Sequence, residues 1–173
     1  GQHASNLGGL LAAGIASRFG VGAYIVDPVA VDEFEDVSRL SGHPLIVRRS
    51  LSHALNIKAV ARRVCHEHGQ SLALCNFVVA HLGGGISVAA LRGGRIIDVN
   101  NANEMGPFSP ERTGSLPAGD LARLCFSGKF TAAEMKKQIA GQGGMVAYLA
   151  TNDVREAYRR ADQGDAFAKL VIS

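Results

Sequence analysis

Three consecutive glycines set between two strand-like runs constrain this chain more than any other feature. Asn76-Phe-Val-Val-Ala-His-Leu82 and Ile86-Ser-Val-Ala-Ala-Leu91 are rich in β-formers, Arg92-Gly-Gly-Arg95 turns the chain again, and Arg95-Ile-Ile-Asp-Val99 returns. The pattern predicts an antiparallel meander. Gly83, Gly84 and Gly85 strip the first turn of every Cβ and allow positive φ, so its backbone N–H groups are able to face one concavity and hold phosphate oxygens. Taken alone, the glycines fit a plain hairpin turn as well as a phosphate cradle. His81 and Ser87 shift the balance toward a ligand, because they put polar side chains at both strand ends, although they also fit as simple cross-strand neighbours.

At 173 residues the chain suffices for one substantial core or parts of two small domains, and its 47% apolar and 19% charged content is that of an ordinary globular protein. The net charge of +3 comes from scattered pairs such as Arg48-Arg49, Arg62-Arg63 and Arg159-Arg160. With aromatics at 6% and no basic stripe interleaved with them, nucleic acid is not an expected partner. No apolar run reaches the length of a membrane span, so no membrane is expected and the expected location is the cytoplasm. Cys65, Cys75 and Cys125 are odd in number and widely spaced, which predicts three buried free thiols. Cys65-His66-Glu67-His68 invites a metal reading, but residues two apart diverge on a helix, and a polar helix end accounts for it better.

Ser5 or Asn6 is placed to cap a helix through Leu7, Leu10, Leu11 and Ile15 that stops at Gly20, and Gly22-Ala-Tyr-Ile-Val26 reads as a buried strand after it. The carboxyl ends of such strands carry ligands in open α/β sheets, which makes Asp27 either a catalytic carboxylate or a turn former before Pro28. Val31 to Leu40 reads as a short acidic helix. Beyond it, Arg48-Arg-Ser-Leu-Ser-His53 opens a helix with Ala54, Ile57, Val60, Ala61 and Val64 on one face, ending before Gly69. His53 then sits in its first turn, where a neutral imidazole near Arg48 and Arg49 suits a phosphate. The polar stretch from Asn100 to Ala118 is too long for a mere connection, and Arg112 within it is a candidate anion clamp. Helices follow over Gly119 to Phe126, Thr131 to Ala140 with Thr131 and Glu134 forming a capping box, Asp153 to Ala161, and Asp165 onward.

In order along the chain, His3-Ala-Ser-Asn-Leu-Gly8, Ile25-Val-Asp-Pro28, His81-Leu-Gly-Gly-Gly-Ile-Ser87, Asp98-Val-Asn-Asn101 and Gly106-Pro-Phe-Ser-Pro-Glu-Arg112 resemble the acetate kinase family. That family lies within the sugar kinase, heat-shock protein and actin superfamily. Where acetate kinases carry Asn in the glycine turn, Thr after the Asp and a Gly-Thr-Arg-Ser-Gly loop, this chain has Gly84, Pro28 and Pro110-Glu-Arg-Thr-Gly114, which favours the butyrate kinase branch. The resemblance implies an α/β, ribonuclease H-like (actin-like ATPase) fold, incomplete, with the meander and flanking helices. Residues 1–30 would close an N-terminal domain, and 31–173 would form the first part of the ribonuclease H-like one.

The implied activity is reversible transfer of the γ-phosphate of ATP to a short-chain carboxylate, giving ADP and an acyl phosphate, with Mg2+. The resemblance assigns Asp27 to the metal or its water, His53 to the phosphoryl transition state and Arg112 to the transferred group. It assigns His81, Gly83, Gly84, Gly85 and Ser87 to a second phosphate loop, and Asp153 and Arg155 to a nucleotide-contacting segment. Family members are about twice this length and usually oligomeric, so the chain reads as an internal fragment that does not turn over alone. Two alternatives stand beside this reading: acetate, propionate or isobutyrate as substrate, or a non-catalytic actin-like nucleotide-binding module.

Overall fold

The computed structural model describes residues 7–173, so the capping expectation for Ser5 and Asn6 and most of the His3–Gly8 run lie outside it. Its elements in chain order are α1 (Leu7–Phe19), α2 (Ala54–Glu67), β1 (Asn76–Leu82), β2 (Ile86–Arg92), β3 (Arg95–Val99), α3 (Ala118–Cys125), α4 (Ala132–Ile139), α5 (Met145–Leu149), α6 (Val154–Asp162) and α7 (Ala166–Ile172). The three strands form one sheet in the order β1-β2-β3, the antiparallel meander that the runs of β-formers and the glycine turns predict. Among the described residues, no helix is long and apolar enough to cross a membrane.

Two compact units divide the chain. One holds the residues up to Val79 together with Ala89–Val99, and the other holds Ala80–Val88 with Asn100–Ser173. In the first, α2 lays Ala54, Ile57 and Ala61 against Ala89, Leu91, Ile96 and Val99 of the sheet, with Phe34 closing the cluster. Ile57 and Ile96 are fully buried, each contributing about 1.5–3 kcal/mol through burial. The C-terminus of α2 is a Schellman motif: Gln70 N–H donates to Cys65 O and Gly69 N–H to His66 O, with Gly69 at φ +63°. Strands β2 and β3 pair from Arg92↔Arg95 to Ala89↔Val99 with an irregularity between Ala90 and Leu91. Both central residues of their turn, Gly93 and Gly94, have positive φ, the requirement of a tight type I′ hairpin.

In the second unit Met145, Leu149, Ala157 and Ala168 form a small core where α5, α6 and α7 meet. Helix α4 carries the predicted capping box, with Glu134 N–H donating to Thr131 Oγ1 and Thr131 N–H to Glu134 Oε2. Asp153 and Asp165 cap α6 and α7.

Three expectations need correction. Gly22–Val26 is not a buried strand: it pairs with no strand among the described residues and is exposed, because a strand without a ladder has no place to bury its side chains. Of the acidic 31–40 segment only a 3-10 turn, Asp36–Arg39, is helical, while Asp32 turns back to receive Arg39 and the Phe34 N–H. The three thiols are free, but only Cys65 is buried; Cys75 is half-buried and Cys125 exposed.

Candidate functional site

The glycine turn and Arg112 come together in the second unit. The order comes from Asn100, whose side chain accepts from the Val88 N–H at 2.6 Å and donates to the carbonyls of Ile86 and Met105. That stitches the start of the 100–117 loop to β2. Ser109 Oγ donates to Gly84 O at 2.8 Å, binding the middle of the loop to the turn itself. Further along, the loop is zipped to the end of α4 and the chain beyond it: Thr113 N–H donates to Ile139 O, Gly141 N–H to Glu111 O and Met145 N–H to Ser109 O. Gly144, at φ +72°, lets the backbones approach so closely that a Cβ there would lie 2.0 Å from Ser109 O. A segment with this many backbone partners is ordered.

The consequence is the position of Arg112. Its Nη1 donates to Ala102 O at 2.7 Å, which uses one of the five donors of the guanidinium fork. The guanidinium fills the space that a side chain at residue 85 would take: an added Cβ at Gly85 would lie 2.3 Å from Nη1 and 2.6 Å from Cζ. None of Gly83, Gly84 and Gly85 has positive φ. The turn therefore needs a bare Cα at Gly85 for close approach, not glycines for left-handed backbone, and that part of the sequence expectation is corrected. Beside it, the Glu111 carboxylate faces Gly84 and accepts from the Asn152 side-chain amide. Ser87 is fully buried and His81 half-buried in the two strands that carry the turn.

Asp153 and Arg155, in the same unit, are engaged with each other. The Asp153 carboxylate accepts from Arg155 N–H, Nε and Nη2, and hydrogen bonds from Arg155 hold it below the usual carboxylate range. Helix capping accounts for this geometry by itself.

Asp27 and His53 lie in the first unit. Asp27 has φ +43°, a left-handed conformation that costs a non-glycine residue about 1–3 kcal/mol and is best tolerated by Asn and Asp. Its side chain is 11% exposed and borders a cavity of about 240 Å³ lined by Gly9, Leu55 and residues 25–29. Lys58 Nζ lies 3.2 Å from Oδ1, and Arg62 Nη2 donates to Oδ2 at 2.9 Å. Burial, the largest single influence, would raise the Asp27 pKa; the hydrogen bonds and charges of Arg62 and Lys58 together outweigh it and hold the carboxyl below its ordinary value.

Lys58 is itself buried and also donates to Glu33 Oε1 at 2.8 Å, while Glu33 Oε2 accepts from Ile96 N–H. Sequence reasoning missed Lys58, Arg62 and Glu33, yet Lys58 follows Ala54 by four residues and precedes Ala61 by three, which puts a lysine on the apolar face of α2.

His53 is the N-cap residue of α2, one position before the expected first turn, with Ile57 N–H donating to its carbonyl. Arg48 does not serve a phosphate beside it: Nη2 donates to Asp98 Oδ1 at 2.6 Å, Nη1 to Ser38 O, and the guanidinium sits over Phe34. No three His, Cys, Asp or Glu side chains converge as a metal cage among the described residues. One hard carboxylate suits Mg2+ where water and phosphate oxygens complete the shell, and Asp27 carries such a carboxylate, with Lys58 at Oδ1 and Arg62 at Oδ2.

The Acetokinase family profile matches residues 36–173. "Probable butyrate kinase 2" of Caldanaerobacter subterraneus subsp. tengcongensis is 58% identical over 172 residues, spanning 99% of this chain and 49% of that protein. "Butyrate kinase 2" of Clostridium acetobutylicum is 56% identical over 174 residues, spanning 100% of this chain and 49% of its own length. The chain thus spans about half the length of the curated relatives it matches. Among solved structures, Porphyromonas gingivalis acetate kinase superposes with a TM-score of 0.78 at 20% identity over 94% of this chain and 44% of its own. A propionate kinase from Francisella tularensis gives 0.70 at 24% identity over 81% and 38%. At those identities the likeness shows the fold alone, the actin-like ATPase architecture that the resemblance implies.

Proposed function

The chain belongs to the acetokinase family, and on that premise we propose that the whole protein is a carboxylate kinase transferring the γ-phosphate of ATP to butyrate, reversibly. The observation that carries this reading is the guanidinium of Arg112 seated on the bare turn at Gly85. A carboxylate acceptor is already ionised at neutral pH, so the reaction calls for no general base. It calls for two anions held in line and for positive charge and N–H donors on the transferring phosphoryl group.

In this reading the Gly83–Gly85 turn, with His81 and Ser87 on its flanking strands, receives the nucleotide phosphates. Arg112, anchored through Ala102 O, offers its fork to the transferred group. By the family resemblance His53, at the N-terminus of α2 where helix polarity favours an anion, is assigned to the phosphoryl transition state. Asp153 and Arg155 contact the nucleotide. Asp27 would hold Mg2+ or its water, and the metal, when bound, supplies neutralising charge to the phosphates. Asp27 is kept ionised for this by Lys58 and Arg62.

With this reading go the assignment of residues 1–30 to an N-terminal domain and 31–173 to a ribonuclease H-like domain, self-association of the protein, and a cytoplasmic location. The test is ATP-dependent acyl hydroxamate formation by this chain and by the same chain extended with its flanking coding sequence. Butyrate hydroxamate from the extended form supports the proposal. A preference for acetate, propionate or isobutyrate reassigns the substrate, and nucleotide binding without acyl transfer refutes the enzyme.

A further inference from the structure

Helix α2 presents Ala54, Ile57, Ala61 and Cys65 to the interior, and Lys58 sits among them. An ammonium group in that position is costly to bury unless it is paired and hydrogen-bonded. A lysine needed only for solubility would point outward, as Arg62 and Arg63 do. The Lys58 side chain is 10% exposed, and its Nζ bridges Glu33 Oε1 at 2.8 Å and Asp27 Oδ1 at 3.2 Å. Glu33 is in turn fixed by the sheet, because its Oε2 accepts the N–H of the fully buried Ile96 at 2.8 Å. A continuous polar path runs from the β3 backbone through Glu33 and Lys58 to one oxygen of Asp27.

The other oxygen is held differently. Asp27 Oδ2 is bound by Arg62, whose side chain is 47% exposed and projects from the surface of the same helix. Lys58 cannot leave Oδ1 without reorganising Glu33, whereas Arg62 is free of such a constraint on its solvent side. The left-handed backbone at Asp27 is a strained conformation of the kind that persists where surrounding contacts enforce it.

We infer that Lys58, clamped between Glu33 and Asp27, is a positioning residue of the phosphoryl-transfer site: it pins Asp27 Oδ1 from inside and leaves Oδ2 as the oxygen that exchanges its partner. This rests on the carboxylate-kinase reading and on the place of Asp27 in it. Lys58 touches no reacting group and acts through Asp27. The double contact makes the lysine different from a structural ion pair, since its removal loosens Asp27 as well as orphaning Glu33.

The test uses the extended, active enzyme and four variants: Lys58→Met, Lys58→Met with Glu33→Gln, Lys58→Arg and Arg62→Met. Displacement of a reacting-site group by about 1 Å costs on the order of a hundredfold. Lys58→Met is therefore expected to lower kcat by that factor, with the KM values for ATP and butyrate changing less than about threefold. The double variant, which no longer leaves an unpaired carboxylate beside Ile96, is expected to regain the parent melting temperature without regaining kcat. Lys58→Arg keeps the charge and folds but sets a planar fork where a point charge sat, so it recovers kcat only in part. Arg62→Met is expected to lose less than about tenfold.

A double variant that regains kcat along with stability makes Lys58 merely structural and overturns the inference. So does Lys58→Met with kcat within twofold of an active parent, or Arg62→Met losing more than Lys58→Met. If Lys58→Met does not fold, the double variant and Lys58→Arg decide. An extended parent with no acyl transfer to any short carboxylate refutes the function itself, and this inference falls with it.

Discussion

Gly85→Ala isolates the contact on which the functional reading depends. Gly85 is not in a left-handed conformation, so alanine is compatible with its backbone, and the substitution acts through the added methyl alone. That methyl would lie 2.3 Å from Arg112 Nη1, 2.6 Å from Cζ and 3.1 Å from Nε. To regain ordinary contact the guanidinium must retreat by roughly 1 Å, away from the turn and off its hydrogen bond to Ala102 O. The stability cost is bounded by that hydrogen bond, about 1.5–3 kcal/mol for one made by a charged group, and is partly offset by about 0.4–1 kcal/mol from the loss of glycine's freedom in the unfolded chain. Removing a preorganised donor from a transition state costs about 100- to 1,000-fold in kcat.

Gly84→Ala supplies the comparison within the same turn, because its methyl would meet only Glu111 Oε2 at 3.7 Å, an ordinary contact. The assay is steady-state acyl hydroxamate formation by the extended enzyme, with thermal melts of both variants. Gly85→Ala is expected to fall at least tenfold further in kcat than Gly84→Ala while melting close to the parent. Equal losses in the two variants, or a larger loss at Gly84, would refute the argument that Arg112 seated on Gly85 is what the bare turn is for.

Ile57→Ala empties a fully buried site between α2 and the sheet and is expected to cost about 2–5 kcal/mol in urea unfolding; less than 1 kcal/mol would mean that α2 does not pack there. Hydrogen bonding to the Ala168 N–H, then to Arg160, lowers the Asp165 pKa in the folded protein. Its contribution is therefore complete above the unfolded value near 3.8 and is lost as pH falls through the lower folded value. Asp165→Asn should narrow the difference in urea midpoint between pH 6 and pH 3, and an unchanged difference contradicts the cap. An aromatic disulfide reagent should modify exposed Cys125 first and half-buried Cys75 more slowly, with Cys65, whose thiol pKa burial raises, reacting only on unfolding; early loss of Cys65 would contradict its place in the core.

Much of the architecture was legible because the signals were local. The meander from Asn76 to Val99 followed from runs of β-formers set around two glycine turns, and the start of α4 followed from the Thr131–Glu134 capping box. The failures were non-local. Gly22–Val26 has strand composition, but composition cannot supply a neighbouring strand. His53 was expected to face a phosphate with Arg48 close by, but Asp98, fifty positions away in sequence, claims Arg48.

The site was readable as a set of residue types and unreadable as a network. Arg112 stood out as a lone arginine in a long polar loop, but the reason for Gly85, the guanidinium lying where a Cβ would be, depends on the fold of that loop. Asp27 was visible before Pro28, whereas the lysine that holds it hid on a helix face already explained by its apolar neighbours. One charged residue in an otherwise apolar stripe was the available signal.

The central claim is that Arg112 on the glycine turn serves transfer of phosphate to a carboxylate. Phosphorus NMR of the extended chain with Mg2+, ATP and butyrate tests it most directly. The account predicts an acyl phosphate resonance growing with ADP, and its loss by about a hundredfold or more in rate in Arg112→Ala while nucleotide binding persists. ADP and inorganic phosphate without acyl phosphate in the parent, or acyl phosphate formed as fast by Arg112→Ala, would contradict it.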